Sequence, residues 1–304
     1  MQRESSTRRT AVLRLVGIVI AAVVGGAVVV ALVQAPRSSP DVSGPPASPA
    51  PAPSEPSPAS NPPGAHDYPA NTAGYDVTTL PTVDVFSLAR ALSVDDLPGG
   101  EHLGLVATPR APGAPLFDDP VGAPVGVLPP ELTFDGTTVP VIERQESWAK
   151  IMLPGRAGLP SEGRAGQLTA WVRASDVDIV STELSVRVSL GARSIAILDG
   201  GVVRHETGGF ALGAPATPTP IGRTFIMTSR VDASAGFTRG YPVVYLGLQS
   251  PTLDGFNGAS TAITAFHYHD VRDGPVSNGC LRVDAGTIEQ LAALPAGTPV
   301  TISE

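Results

Sequence analysis

The sequence predicts an all-β folded region that follows an N-terminal transmembrane helix and a disordered linker. Three features of the chain support this prediction. From Leu103 onward, short apolar runs alternate with Pro, Gly and Asp, as in domains built from short strands and tight turns. An uncharged apolar stretch covers residues 15–33, and a segment rich in Pro, Ala and Ser follows it. Within the C-terminal domain, one short helix is predicted.

The first 35 residues have the features of an uncleaved membrane anchor. Residues 1–14, a predicted cytoplasmic tail, contain four arginines and one glutamate. At a rise of ~1.5 Å per residue, Leu15–Val33 would span ~28 Å, close to the thickness of a hydrocarbon core. A cleaved signal peptide is the alternative, but its apolar region is normally ~7–15 residues long, and Val33-Gln34-Ala35 is a poor cleavage site. We therefore predict a single transmembrane segment over 15–35, with the chain after it outside the cell.

Residues 36–66 are predicted to be a disordered spacer, because Pro, Ala and Ser bury too little surface to offset the entropy of ordering. The formal net charge is −8, and the chain after the basic tail carries about −11. An acidic surface argues against nucleic acid as a partner. Residues 67–304 are long enough for two modest domains.

The first of these domains is predicted over 103–181, after an irregular connecting segment, 67–102, in which a short helix is predicted over Val85–Leu92. Strands are expected at 104–107, 123–128, 138–143, 148–152 and 169–172. The segment around Trp148 resembles the strand that carries a tryptophan in bacterial SH3-like domains, and the segment around Trp171-Val172 resembles the strand that closes their barrel. This resemblance implies a small β-barrel that binds cell-wall material or docks against a catalytic domain. Alternatively, both tryptophans simply belong to the core.

The second domain is predicted over 183–304. Its strands are expected at 185–189, 194–198, 202–206, 224–228, 243–246, 261–267 and 298–302. Asp199-Gly200-Gly201 is typical of a hairpin turn. Helical spacing is restricted to Asp284–Leu294, where Asp284 can cap the N-terminus and Pro295 ends the helix.

The only cysteine, Cys280, lies in the run Ser277-Asn278-Gly279-Cys280-Leu281-Arg282. Exported chains usually pair their cysteines or avoid them, so a lone one between small polar residues suggests a nucleophile on a tight turn. The alternative is a buried small apolar residue, which is how most free cysteines behave.

Several motifs of residues 183–304 occur in the order known from one enzyme family. The element Thr217-Pro218-Thr219-Pro220-Ile221-Gly222 precedes a strand that ends at His267, and the Ser277–Arg282 run follows. This region resembles the L,D-transpeptidase catalytic domain, or YkuD domain, a β-sandwich with a nucleophile motif usually written S/T-H-G-C-x-R/N. Asn278 stands where the family has histidine. Only 13 positions separate His267 from Cys280, which implies a shortened loop.

A cysteine attacks an amide well only as a thiolate, so an imidazole within ~3 Å should take its proton and return it to the leaving amine. His267 and His269 share one face of a strand, and both could serve. The resemblance implies that His267 is the base, held by the backbone carbonyl of Tyr268. His269 and the Tyr268 side chain are then substrate contacts.

Other residues of the motif have predicted supporting roles. Gly279 allows a positive φ, and its amide, with that of Cys280, could stabilise an oxyanion. Ser277 should hold the turn, and Asn278 should contact substrate. Arg282 either engages a carboxylate or pairs with an acid such as Asp284. Aromatic side chains expected along the cleft, or else in the core, are Tyr241, Phe256 and Tyr268.

The resemblance implies cross-linking of peptidoglycan, and hence a role in cell-wall organisation and cell shape. Cys280 would attack a stem tetrapeptide between the L-centre of its third residue, a diamino acid, and the fourth, D-Ala. An amine of a second diamino acid would resolve the thioester into a 3–3 cross-link. No metal or organic cofactor is implied, and carbapenems should acylate Cys280. The transmembrane anchor would place this chemistry outside the cell membrane.

Two alternatives remain open. Water or a protein amine could resolve the same thioester, which would make the protein an L,D-carboxypeptidase or a protein-to-wall attaching enzyme. Alternatively, the chain is a cell-wall-binding protein with a degenerate catalytic fold, which Asn278 and the shortened loop favour.

Overall fold

A computed structural model of the chain describes residues 67–256 and 258–304. The basic tail, transmembrane segment and linker predicted over 1–66 lie outside the described residues. In the described part, no helix is long and apolar enough to cross a membrane. As predicted, this part is mostly β and has one α-helix.

Residues 67–181 contain seven strands: β1 (Leu105–Pro109), β2 (Ala114–Leu116), β3 (Gly126–Leu128), β4 (Val139–Arg144), β5 (Trp148–Leu153), β6 (Leu168–Arg173) and β7 (Val177–Ser181). They form a five-stranded antiparallel sheet, ordered β6-β5-β4-β1-β7, and a separate β2–β3 hairpin. Strands β2 and β7 were not predicted. Both tryptophans are core residues: Trp148 and Trp171 are buried in one cluster with Phe117.

The helix predicted over Val85–Leu92 is wrong. Asp84 accepts hydrogen bonds from the Phe86 amide and the Ser87 hydroxyl, which gives the backbone a turn instead of a helix start. The segment then runs along the sheet and forms isolated bridges, Leu88 with Arg156 among them. Val85 and Leu92 are nevertheless buried, so tertiary packing prevails over local helix propensity.

Residues 184–303 form a second β unit. Its bounds are β8 (Leu184–Ser189), β9 (Ser194–Asp199), β10 (Val202–Gly208), β11 (Leu212–Gly213), β12 (Gly222–Arg230), β13 (Val243–Gln249), β14 (Ile263–Tyr268), β15 (Pro275–Ser277), β16 (Leu281–Val283), α1 (Ala285–Ala292) and β17 (Pro299–Ser303). Eight strands make one sheet, ordered β10-β9-β8-β17-β12-β13-β14-β16. The predicted cap of α1 is present, since the Asp284 carboxylate accepts from the Thr287 amide at 3.0 Å.

Strand β12 belongs to both cores. Alternate side chains of a strand point to opposite faces, and here Phe225 and Met227 pack with the first unit while Ile226 packs within the second. A buried ion pair adds to this contact: the Arg223 guanidinium donates to the Asp95 carboxylate at 2.7 and 2.9 Å. Their side chains are 6% and 1% exposed. The connecting segment is thus fixed to the second unit.

Candidate active site

Parallel pairing of β14 with β16 brings the predicted nucleophile and base to one face of the sheet. His267 is the register partner of Arg282, and Phe266 is the partner of Leu281. Phe266 and Leu281 are buried in the core beneath. Because side chains alternate along each strand, His267 and Arg282 project on the opposite face, with Cys280 one position before β16 on that same face.

These residues line a cleft of about 530 Å³. The cleft contains six of the predicted site residues: His267, His269, Ser277, Asn278, Cys280 and Arg282. Phe256 also lines it, as predicted. The Tyr268 side chain does not line the cleft: it packs on Tyr241, with ring centroids 4.8 Å apart, and its hydroxyl donates to Asp270. Tyr241 is likewise absent from the lining, which corrects the expectation for both tyrosines.

Two aromatic residues that sequence reasoning missed take their place, Phe237 and Tyr245. Phe237 is half exposed in the β12–β13 connection, and its ring lies 5.1 Å from that of His267 and 5.8 Å from that of His269. In the sequence, the signal that could have identified Phe237 was an aromatic residue in the connection between two predicted strands. Tyr245 donates to Asp232 at 3.3 Å, and burial raises the pKa of Tyr245 to about 12.

The His267 ring is fixed as expected, with Nδ1 2.9 Å from the carbonyl oxygen of Tyr268. A carbonyl only accepts, so Nδ1 carries the proton and Nε2 keeps its lone pair. Burial, with a smaller contribution from the Arg282 charge, lowers the pKa of His267 to about 4. The hydrogen bond to the Tyr268 carbonyl acts in the opposite direction and raises this pKa. The imidazole is therefore neutral at pH 7, which a general base requires.

No hydrogen bond joins the Cys280 thiol to His267 among the described residues. The thiol donates instead to the carbonyl oxygen of Ile263, with Sγ 3.9 Å from that atom. Burial raises the pKa of the Cys280 thiol, although the positive charge of Arg282 acts in the other direction. The free site thus holds a neutral thiol and a neutral imidazole rather than a preformed thiolate.

Ser277 holds the turn, as predicted, through its buried hydroxyl. Its Oγ donates to the Cys280 carbonyl at 2.5 Å and accepts from the Gly279 amide at 3.1 Å. The Gly279 amide, predicted as an oxyanion donor, is therefore directed at Ser277 here. Gly279 has a φ of +106°, and a Cβ at this position would lie 3.3 Å from the carbonyl of Pro218. The positive φ favours glycine at this position, and the Cβ of any other residue would fit tightly against Pro218.

Arg282 does not form the alternative salt bridge with Asp284, whose carboxylate caps α1. The Arg282 Nε is buried without a hydrogen-bond partner among the described residues. The guanidinium lines the cleft, so its charge is available to an anionic group there. Asn278 is exposed at the rim. His269 accepts from the Val271 amide at 2.9 Å through Nδ1.

Within 67–256 and 258–304, no three His, Cys, Asp or Glu side chains converge as a metal site. What the arrangement offers is acid–base and nucleophilic chemistry: a thiol, a neutral imidazole and a cation that line one cleft.

Residues 184–302 match the family model of the YkuD domain, the L,D-transpeptidase catalytic domain. Similar solved structures include a mutant of the Enterococcus faecium L,D-transpeptidase, at 21% identity over 40% of this chain and 49% of that one, with a TM-score of 0.28. Mycobacterium tuberculosis L,D-transpeptidase 1 has 18% identity over 45% and 78%, with a TM-score of 0.29. The chain spans about half the length of the E. faecium protein. No curated protein matches the sequence.

Proposed function

We propose, from the match of residues 184–302 to the L,D-transpeptidase catalytic domain, that this protein is a peptidoglycan L,D-transpeptidase with Cys280 as its nucleophile. One observation above all supports the proposal: Cys280 lines the same cleft as His267, whose ring is oriented by the Tyr268 carbonyl and kept neutral by burial. The donor would be a stem tetrapeptide and the acceptor the side-chain amine of a second diamino acid.

In the first half-reaction, the Cys280 thiol turns from the Ile263 carbonyl toward Nε2 of His267 and transfers its proton there. The thiolate attacks the carbonyl carbon of the third residue, and the C–N bond to D-Ala breaks. The proton on Nε2 passes to the departing amine. The products are free D-Ala and a thioester on Cys280.

In the second half-reaction, the acceptor amine attacks the thioester carbonyl and gives up a proton to Nε2 of His267. The C–S bond breaks, and the proton returns to the sulfur of Cys280. The new amide is the 3–3 cross-link, and the enzyme is regenerated. A water molecule in place of the amine would give hydrolysis instead.

Charged and polar groups around Cys280 suit this substrate. Arg282, whose Nε has no partner among the described residues, would bind a carboxylate of the stem, such as that of D-Ala. The Cys280 amide would stabilise the oxyanion, and the Gly279 amide would join it only after leaving the Ser277 hydroxyl. Asn278 and His269 would contact the peptide at the rim of the cleft.

The regions before the catalytic domain give the proposal a location. Residues 103–181 are inferred to be an SH3-like module, and the apolar stretch over 15–35 is inferred to anchor the chain in the cell membrane. The linker at 36–66 would hold the cleft at a distance from the membrane, within reach of the cell wall. Such an arrangement agrees with a role in cell-wall organisation and cell shape.

The test incubates the full-length chain with a disaccharide-tetrapeptide and follows intact protein mass, free D-Ala and dimer formation. Cys280→Ala and His267→Ala remove the two central groups, and His205→Ala is the control on β10. A thioester adduct or a dimer with loss of D-Ala, in wild type and control only, supports transpeptidation. Carbapenem should add its mass to the same two proteins.

Two other outcomes favour the alternatives. Release of D-Ala without a dimer indicates an L,D-carboxypeptidase or a protein acceptor. A protein that leaves the tetrapeptide intact but co-sediments with cell-wall sacculi is a wall-binding protein.

A further inference from the structure

We propose that Arg156, which belongs to the first β unit, is a positioning residue for the active-site cleft of the second. Its side chain holds the wall loop, defined as the described residues 250–256 and 258–262 between β13 and β14. The kinetic part of this inference rests on the proposed function, whereas the structural part does not.

Arg156 makes an unusual contact with the wall loop. Its side chain is buried, at 3% exposure, and its guanidinium donates from Nη1 to the Asp254 carbonyl at 2.7 Å and from Nη2 to the Leu253 carbonyl at 3.0 Å. Among the described residues this guanidinium forms no ion pair. A buried cation is costly unless it is well hydrogen-bonded, so both carbonyls are fixed by the need to solvate it.

The wall loop in turn shapes the cleft. Phe256, Ala259 and Thr261 line the same cavity as Cys280. Ile263, the first residue after the loop, accepts a hydrogen bond from the Cys280 thiol through its carbonyl oxygen. The position of the loop therefore influences both the width of the cleft and the resting place of the nucleophile.

A second set of contacts ties both ends of the loop to the first unit and the connecting segment. Gln249 is buried; it donates to the Val85 carbonyl at 2.8 Å and accepts from the Ala262 amide at 2.9 Å. The Ser161 amide donates to the Asp254 carboxylate at 3.0 Å. Gln249 thus holds the two ends of the loop, whereas Arg156 and Ser161 both hold it at residues 253–254.

Arg156 is itself rigidly held. Its backbone carbonyl accepts from Ala89 at 2.7 Å, and its amide donates to Ser87 at 3.2 Å. The fork of a guanidinium can reach two successive carbonyls at once, whereas a lysine ammonium is a single point charge without that geometry. Arg156→Lys should therefore keep the charge but lose much of the positioning.

The experiment compares full-length wild type with Arg156→Gln and Arg156→Lys. Arg164→Gln is the matched control, because Arg164 also donates to two backbone carbonyls, those of Arg90 and Leu92, within the same part of the chain. Val172→Ala lowers stability from the buried face of β6 without touching the loop. The readouts are amide hydrogen exchange of residues 250–262 and steady-state kinetics with the tetrapeptide.

In both Arg156 variants we expect the protection of the amides in 250–262 against hydrogen exchange to fall about tenfold. We also expect KM to rise about tenfold, with a smaller change in kcat. Neither control should do so. If the Arg156 variants show the same wall-loop exchange and the same KM as Val172→Ala, the proposal is overturned, since the effect is then one of general stability. If Arg156→Gln does not fold, the lysine variant decides by the same readouts.

Failure of the proposed function has a different signature. Wild type would then leave the tetrapeptide intact, and hydrogen exchange alone would decide the role of Arg156: unchanged protection in both Arg156 variants rejects it, and selective loss supports it.

Discussion

Nδ1 of His267 lies 2.9 Å from the carbonyl oxygen of Tyr268, its own neighbour in the chain. The proposed base is thus oriented by the backbone, and the Tyr268 side chain, which packs on Tyr241, takes no part in the hydrogen bond. This contact selects the tautomer with Nε2 free, while burial keeps the ring neutral.

The pH dependence of the reaction should reflect this environment. With a pKa of about 4, His267 stays neutral until the pH falls to that value, and protonation below it removes the base. We expect kcat/KM to decline on the acid side near pH 4 instead of near 6.5. Measurements of kcat/KM from pH 3.5 to 7.5 check this. The control variant His269→Gln should show the same decline on the acid side. An acid limb near 6.5 would contradict the assignment.

Alkylation of Cys280 should report a neutral thiol. It is the only cysteine, so iodoacetamide labelling has no background from other thiols. Because burial raises its pKa above the usual 9.0, the rate should still be rising at pH 9 and show no plateau between pH 6 and 8. His267→Ala should leave this profile unchanged. A plateau below pH 8 would indicate a thiolate–imidazolium pair already formed in the free protein.

Removing the Ser277 hydroxyl should disturb the nucleophile turn. Ser277→Ala leaves the Gly279 amide and the Cys280 carbonyl without their shared partner, which costs about 1–3 kcal/mol of stability. The turn carries Cys280, the proposed nucleophile, so we expect kcat to fall about tenfold or more. Ser277→Thr restores a hydroxyl and should recover most of the rate. Equal activity of the alanine and threonine variants would refute this role.

The Asp95–Arg223 pair should be far more sensitive than an exposed pair. Asp95→Asn leaves the Arg223 charge buried without a counter-ion, and we expect a loss of about 3–5 kcal/mol in the free energy of unfolding. Asp178→Asn breaks the exposed pair with Arg110 and should lower the free energy of unfolding far less. Urea unfolding at pH 7 measures both. Similar losses in the two variants would show that burial does not control the effect.

Folding stability should fall in mild acid because of His102. Its Nδ1 is buried without a partner among the described residues, and burial lowers the pKa of His102 to about 4. Between 6.5 and about 4 the unfolded chain binds more protons, so stability is lost as the pH falls, by up to about 1.4 kcal/mol per pH unit for each such histidine. His102→Gln should reduce the slope of unfolding free energy from pH 7.5 to 4.5. An unchanged slope would exclude this contribution.

Features that depend on near neighbours were predictable from sequence, and those that depend on distant partners were not. The cap at Asp284, the alternation that buries Phe266 beside His267, and the Ser277 turn all involve residues a few positions apart. The places of Phe237 and Tyr245 in the cleft depend on contacts made after folding. The failed helix at 85–92 depends both on the local hydrogen bonds to Asp84 and on the distant bridge from Leu88 to Arg156. The direction of the Gly279 amide also escaped prediction, because sequence gives the residue types of a turn but not its hydrogen bonds. The membrane anchor, linker and SH3-like assignment remain predictions.

Strand β12 has a consequence for work with fragments of this protein. Phe225 and Met227 belong to the catalytic segment by sequence, yet they are fully buried against residues of the first unit. A fragment that starts at residue 183 would expose both side chains to water, which would cost roughly 1.5–3 kcal/mol of folding free energy for each of them. A protease cut between β7 and β8 should accordingly give a nicked protein whose two pieces stay associated until denaturant is added.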